Sequence, residues 1–388
     1  MLVLLSYYSE VWLREGTCEP VRLRNENEYV VPASTLKSMW AVILLNTLGP
    51  NYRIPTYVAV KGNALVLRFT GDFTLSFRKL DSVVSEKVQG MRGRTVYLLI
   101  SFPHWGDRYG YGWAWDDIKF RRVSPITPVS INWGVVKPDT ALGIALDTTL
   151  APDSVFIGDT LVLIPRKKYR YADPLTFVEY VVRRAVVKAG KRVKVEVRES
   201  DRFTLTGFKE VDTLYSPPLV ALLRPTLAYS INFAMDMLVA HYSGGITRAG
   251  RYFRDFMGKL GMDTTAYVFD GSGLSRYNLI RALDAVYLVC AGTRGIDSLV
   301  KGVLPSPGNG TLRRRLLTFR DMVHAKTGTL FGVSALLGFY SGCDTRYVFG
   351  IYVQNSPITR YSRDFIDSLV VWSSGGRRCL TVKEESKR

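Results

Sequence analysis

Histidine is the scarcest chemistry in this chain, with three copies in 388 residues. His104, His241 and His324 stand far apart and none falls in a spacing such as His-Glu-x-x-His. That excludes a recognisable zinc centre and favours structural histidines over a histidine general base. Cysteine is equally sparse. Cys18, Cys290, Cys343 and Cys379 make no Cys-x-x-Cys pair and no metal-ligand cluster, so no metal or other cofactor is expected and the redox compartment stays open. No apolar run approaches the roughly 20 residues of a membrane-spanning helix. Residues 1–10 lack a basic leader, and they read as a first strand and not as a signal peptide. Negative charge is also in deficit: 34 Asp+Glu against 52 Lys+Arg gives a formal net charge of +18. This excess favours anionic partners, yet Arg121-Arg122, Arg166-Lys167-Lys168, Arg183-Arg184 and Arg313-Arg314-Arg315 are scattered, and no nucleic-acid module accompanies them. A solvated basic surface and a dedicated site for an anionic polymer both remain open.

The length suggests two domains. Leu2–Leu13 and Pro20–Val31 read as strands around a turn at Glu15-Gly16, and Ser34–Leu48 has helical spacing that ends at Gly49-Pro50. From about 60 to 212 the pattern becomes β-rich, with one helix at Pro174–Lys188. Helices resume at Leu219–Tyr229, Phe233–His241, Arg248–Leu260 and Leu279–Ala291. Met322–Tyr340 and Tyr347–Val353 read as two strands of a hairpin turning at 341–344, and 363–372 as a final helix. The expected fold class is α/β (α+β), with residues 1–58 and 213–388 forming one discontinuous domain and 59–212 a β-rich insert.

Three strings occur in order: Ser34-Thr35-Leu36-Lys37, Ser230-Ile231-Asn232 and Lys326-Thr327-Gly328. A serine hydroxyl needs a base, and a lysine can serve where burial and nearby cations leave it neutral. Ser34 and Lys37, three apart on one helix, share a face. The same spacing recurs at Ser76/Lys79, read as a strand whose odd separation points the side chains apart, and at Ser298/Lys301, read as the surface end of a helix before Gly302. Ser230 is either a proton relay or an N-cap for the following helix, and Asn232 is suited to holding Lys37 and a substrate amide. Lys326 is either a carboxylate anchor or a solvated strand lysine. Thr327 offers a hydroxyl, Gly328 permits close approach, and the backbone N–H groups of Thr329 and Ser34 suit an oxyanion hole.

The trio is the set found in β-lactamases and penicillin-binding proteins. Asp270-Gly-Ser-Gly-Leu-Ser-Arg276, Gly310-Thr-Leu-Arg313, Ala325-Lys-Thr-Gly-Thr-Leu330 and Gly112-Trp-Ala-Trp-Asp-Asp117 narrow it. From about residue 20 to 355 the chain resembles the D-alanyl-D-alanine carboxypeptidase/endopeptidase family of low-molecular-mass penicillin-binding proteins, type 4 or class C. The resemblance implies a penicillin-recognising transpeptidase-like core, an antiparallel sheet flanked by helices, with the insert between the first and second motifs. It implies Ser34 as nucleophile, Lys37 as base, Ser230 and Asn232 in proton transfer and positioning, and Lys326 on the terminal carboxylate. The implied substrate is a D-Ala-terminated peptide or peptidoglycan, with β-lactams as covalent inhibitors and a periplasmic or extracellular site of action. Asp117 and Arg276 would grip a diaminopimelate side chain, the alternative for each being an ordinary ion pair. The interval after Asn132 is too short for the further nested domain of larger relatives. Arg121-Arg122 and Phe331 depart from the family pattern around that side-chain pocket. Rival readings are a D-aminopeptidase, esterase or β-lactamase with the same acyl-enzyme, and an idle binder of anionic polymers.

Overall fold

The computed structural model describes residues 7–114, 124–131, 133, 135–136, 154–157, 160–163, 169–170, 174–204, 206–208, 210–342 and 345–373. Two compact units emerge, one of Met1–Asn51, Leu219–Met235 and Ala249–Arg388, the other of Tyr52–Pro218 and Asp236–Arg248. In the first unit, β1 (Tyr8–Arg14) and β2 (Pro20–Arg24) precede helix α1 (Leu36–Leu48). The second unit holds β3 (Pro55–Lys61), β4 (Ala64–Arg68), α2 (Phe77–Gly90), β5 (Thr95–Phe102), α3 (Pro174–Lys188), β6 (Arg192–Glu199) and β7 (Glu210–Tyr215). After it come α4 (Leu219–Ala228), α5 (Asn232–Ser243), α6 (Ala249–Lys259), α7 (Ala282–Gly292), α8 (Asp297–Val303), β8 (Val323–Leu330), β9 (Val333–Ser341), β10 (Arg346–Val353) and α9 (Thr359–Ser373).

The first unit is built on a five-stranded sheet in the order β8-β9-β10-β1-β2, antiparallel throughout. The central pairing joins the two ends of the chain, from Tyr8 opposite Val353 to Arg14 opposite Tyr347. Alternation along β10 serves both faces. Phe349, Ile351 and Val353 join Trp12, Leu336 and Tyr340 in a buried cluster with Ile366, Leu369 and Val370 of α9. Gly350 points the other way, where a Cβ would stand 2.5 Å from Val286 of α7. Each large side chain buried in this sandwich is worth about 1.5–3 kcal/mol. Cys18, beyond the end of β1, forms a disulfide with Cys290 of α7, with Cα atoms 5.8 Å apart.

The second unit has a mixed sheet in the order β6-β5-β4-β3-β7, in which β5 runs parallel to both β4 and β6. Leu80, Val84 and Val88 of α2 and Val178, Val181, Val182 and Ala185 of α3 pack with sheet residues Leu65, Leu67, Val96, Leu98 and Ile100.

Three expectations are corrected. Ser76 and Lys79 do not lie on a strand: Ser76 caps α2, its hydroxyl accepting from the Lys79 backbone N–H at 3.2 Å. Met322–Tyr340 is not one strand but a hairpin, because Phe331 and Gly332 form a two-residue turn in which Gly332 takes φ +79°. Lys301 does not end its helix at the surface. α8 runs on to Val303, and Lys301 is largely buried against Glu15, with Nζ–Oε1 2.5 Å. Among the described residues no helix is long and apolar enough to cross a membrane.

Candidate active site

Two backbone irregularities set the site. Ala33 takes φ +47° ahead of the 3₁₀ turn Ala33–Thr35, which feeds directly into α1 and places Ser34 at its entrance. Ser230 takes φ +55° between α4 and α5, so Asn232 begins the second helix. A left-handed residue of this kind costs about 1–3 kcal/mol and persists only where its surroundings impose it.

The surroundings are the segment 270–278. The buried Asp270 carboxylate accepts the Gly273 N–H at 2.9 Å, the Ser275 N–H at 2.6 Å and the Asn278 side-chain amide at 2.9 Å. The indole N–H of Trp40, on α1, donates to the Asp270 carbonyl at 3.1 Å. Gly273, at φ +76°, lies so close to the Ser34 turn that a Cβ would come 1.8 Å from the Ala33 carbonyl oxygen. Edge strand β8 closes the other side: a Cβ on Gly328 would stand 2.7 Å from the Pro32 carbonyl oxygen.

Lys37 is fully buried. Its Nζ donates to Ser34 Oγ at 2.9 Å, to Asn232 Oδ1 at 2.8 Å and to the Ser272 carbonyl at 2.5 Å. Ser34 Oγ also reaches that carbonyl at 3.4 Å. Three acceptors thus hold one amine against one hydroxyl, and the second and third come from different parts of the sequence. Lys326 is likewise 0% exposed, and its Nζ donates to the Thr327 carbonyl at 2.9 Å. Burial, and then the Lys37 charge, hold the Lys326 ammonium well below its usual range.

A cavity of about 310 Å³ opens over Ser34, lined also by Ser230, Thr311, Arg315, Thr327, Thr329 and Arg363. The structure therefore gathers Ser34, Lys37, Asn232 and Ser272 into one hydrogen-bonded cluster, with Ser230, Thr327 and Thr329 around its opening. Lys326 does not line the cavity. Arg276 is exposed and does not line it either, and Asp117 lies outside the described residues. Sequence reasoning missed the Ser272 carbonyl, which has no side-chain signature. Thr311, inside the Gly310–Arg313 string, enters the cavity wall, as does Arg363 of α9, which no sequence motif marks. Among the described residues no group of three or more His, Cys, Asp or Glu could hold a metal ion.

The family model described as D-Ala-D-Ala carboxypeptidase 3 (S13) matches residues 16–154 and 166–375. The D-alanyl-D-alanine carboxypeptidase of Actinomadura sp. (strain R39) is 28% identical over 408 aligned positions, covering 87% of this chain and 75% of that protein. The crystal structure of penicillin binding protein 4 from Haemophilus influenzae superposes with a TM-score of 0.74 at 20% identity, covering 94% of this chain and 96% of that one. The same protein complexed with a β-lactam gives 0.71 at 19% identity, covering 95% and 98%. At these identities the structural likenesses establish the fold.

Proposed function

The chain belongs to the D-Ala-D-Ala carboxypeptidase 3 (S13) family and is a serine peptidase of the D-Ala-D-Ala carboxypeptidase/endopeptidase kind; from that premise we propose that Ser34 is its nucleophile and Lys37 the base. One observation carries this reading: the buried Lys37 Nζ lies 2.9 Å from Ser34 Oγ while Asn232 Oδ1 and the Ser272 carbonyl hold it there. Proton-transfer distance to a hydroxyl is the geometric requirement for a general base.

In the first step Lys37 reacts as the neutral amine, its two N–H groups on Asn232 Oδ1 and the Ser272 carbonyl and its lone pair accepting the Ser34 O–H. Ser34 Oγ bonds to the carbonyl carbon of the penultimate D-alanine and its proton passes to Lys37. The N–H groups of Ser34 and Thr329 receive the developing oxyanion, where donors fixed in a dry site are worth about 3–4 kcal/mol each. The amide C–N bond then breaks. Ser230, on the cavity wall, relays the proton to the departing amine, and D-alanine leaves. Water hydrolyses the ester, with its proton returning by the same route. Asn232 positions Lys37 and the substrate amide. Lys326, buried behind Thr327, donates to that residue's carbonyl and so steadies the Thr327 side of the cavity.

The substrates we assign are peptides ending in D-Ala-D-Ala, including those of peptidoglycan, with β-lactams as mechanism-based acylating agents. The named activity of the Actinomadura protein and the β-lactam complex of the Haemophilus protein support this assignment. A labelled penicillin is expected to add one equivalent to the wild-type protein at Ser34, read as an increase in intact mass and located by peptide mapping. Folded wild-type protein that takes no adduct, or a Ser34→Ala protein that still takes one, would overturn the mechanism.

A further inference from the structure

The anchor for the substrate's carboxylate remains to be found, because the cation expected to contact it is sealed in. Lys326 has no exposed surface, and its amine is spent on Thr327. Two guanidinium groups, by contrast, line the cavity. Arg315 is committed to Asp367, donating through Nε at 3.1 Å and Nη2 at 2.8 Å to the two carboxylate oxygens. Such a bidentate pair leaves little charge for a ligand. Arg363, one turn before Asp367 on α9, is different. Its Nη2 donates to Thr329 Oγ1 at 3.2 Å, and among the described residues it has no ion-pair partner within 4.0 Å. Its charge is held in no ion pair and is offset only at longer range by Asp367, which is already bound to Arg315, and it stands on the wall of a cavity whose floor holds Ser34.

A second observation points to an absent ligand. Thr311 lines the same cavity, and its hydroxyl is buried with no hydrogen-bond partner. Leaving such a group unpaired costs about 1–3 kcal/mol. A carboxylate in this cavity would present acceptors to a guanidinium and to hydroxyl groups together, which is the complement of this wall.

Building on the Ser34 mechanism, we propose that Arg363, steadied by Thr329, makes the direct charge-assisted contact with the C-terminal carboxylate of the substrate, and that Lys326 acts only through Thr327. Arg363 is on this view a substrate-binding residue that selects acyl donors with a free carboxylate. It sits more than 300 residues from the nucleophile, on the final helix.

The test compares two peptides, one ending in D-Ala-D-Ala as the free acid and the same peptide ending as the carboxamide, on wild type, Arg363→Ala and Arg363→Lys. Wild type is expected to prefer the acid. In Arg363→Ala the acid-over-amide preference in kcat/KM should fall by about 10- to 100-fold, the value of one charge-assisted contact, with the loss mainly in KM. Arg363→Lys should recover part of it, since the charge remains and the fork is lost. Arg363 is exposed, so these variants are expected to fold, and an unchanged melting temperature checks this. An acid-over-amide preference equal to wild type in Arg363→Ala overturns the inference while leaving the Ser34 mechanism standing. Absence of a penicillin adduct on wild type overturns that mechanism and this inference with it.

Discussion

At Gly273 the chain has no room for a side chain, and that single position shows how the Ser34 turn is held. Its φ of +76° and the 1.8 Å that would separate a Cβ from the Ala33 carbonyl oxygen mean that the Ser34 turn and the 270–278 segment are fitted backbone to backbone. Gly273→Ala adds backbone strain of about 1–3 kcal/mol and forces the two segments apart. The expected outcome is at least a tenfold slower acylation by penicillin with a lower melting temperature, measured by stopped-flow mixing and thermal unfolding. Acylation at the wild-type rate would show that the close fit is not needed. Ser272, next to Gly273, provides through its carbonyl the third acceptor for Lys37. The residues that orient the lysine therefore act as backbone, so side-chain motifs describe only part of the site.

Helix α5 begins at Asn232 in the Ser34–Lys37 hydrogen-bonded cluster and ends near His241, whose environment gives a pH-dependent prediction. His241 Nδ1–H donates to the Thr70 carbonyl at 2.6 Å, and Nε2 accepts from the Tyr52 hydroxyl at 2.7 Å, an arrangement that fits the neutral ring. Burial lowers its pKa below the ordinary 6.5, the Thr70 bond opposing only in part. The unfolded chain therefore binds a proton near pH 6.5 that the folded chain refuses. Stability is lost as pH falls through 6.5 toward the lowered folded value, by up to about 1.4 kcal/mol per pH unit in that window. Melting temperatures at pH 7.5 and 5.5 should diverge in wild type and converge in His241→Gln; equal divergence in both proteins would remove His241 as the cause. The sequence revealed some elements well. Pro174–Lys188 is the helix its pattern indicates, and Lys326 lies on the edge strand β8. α2 was hidden because Val83, Val84 and Val88 favour a β reading, although Phe77, Leu80 and Val84 already mark a helical stripe. The β8–β9 turn was hidden because Phe331 continues the apolar run and only Gly332 marks the break. Arg363 had no local signal, since its place on the cavity wall depends on where α9 packs.

For the molecule as a whole, the Cys18–Cys290 disulfide crosses 272 residues of sequence and so restricts the unfolded chain over most of its length. Removing it with Cys18→Ser should cost about 2–4 kcal/mol, seen as a lower melting temperature; the same variant should show no further loss with reductant. If wild type melts identically with and without reductant while mass spectrometry confirms reduction, the bridge contributes no stability. The central pairing of Tyr8–Arg14 with Arg346–Val353 has a different consequence, one of timing. A nascent chain with its first 300 residues already holds Ser34, Lys37, Ser230 and Asn232, but it has neither Lys326 nor Arg346–Val353, the strand that joins β1 to the rest of the sheet. Domains fold as units during synthesis, and this one cannot finish until its last strands emerge. On the mechanism proposed above, the attacking serine is therefore synthesised early and its surroundings are completed late.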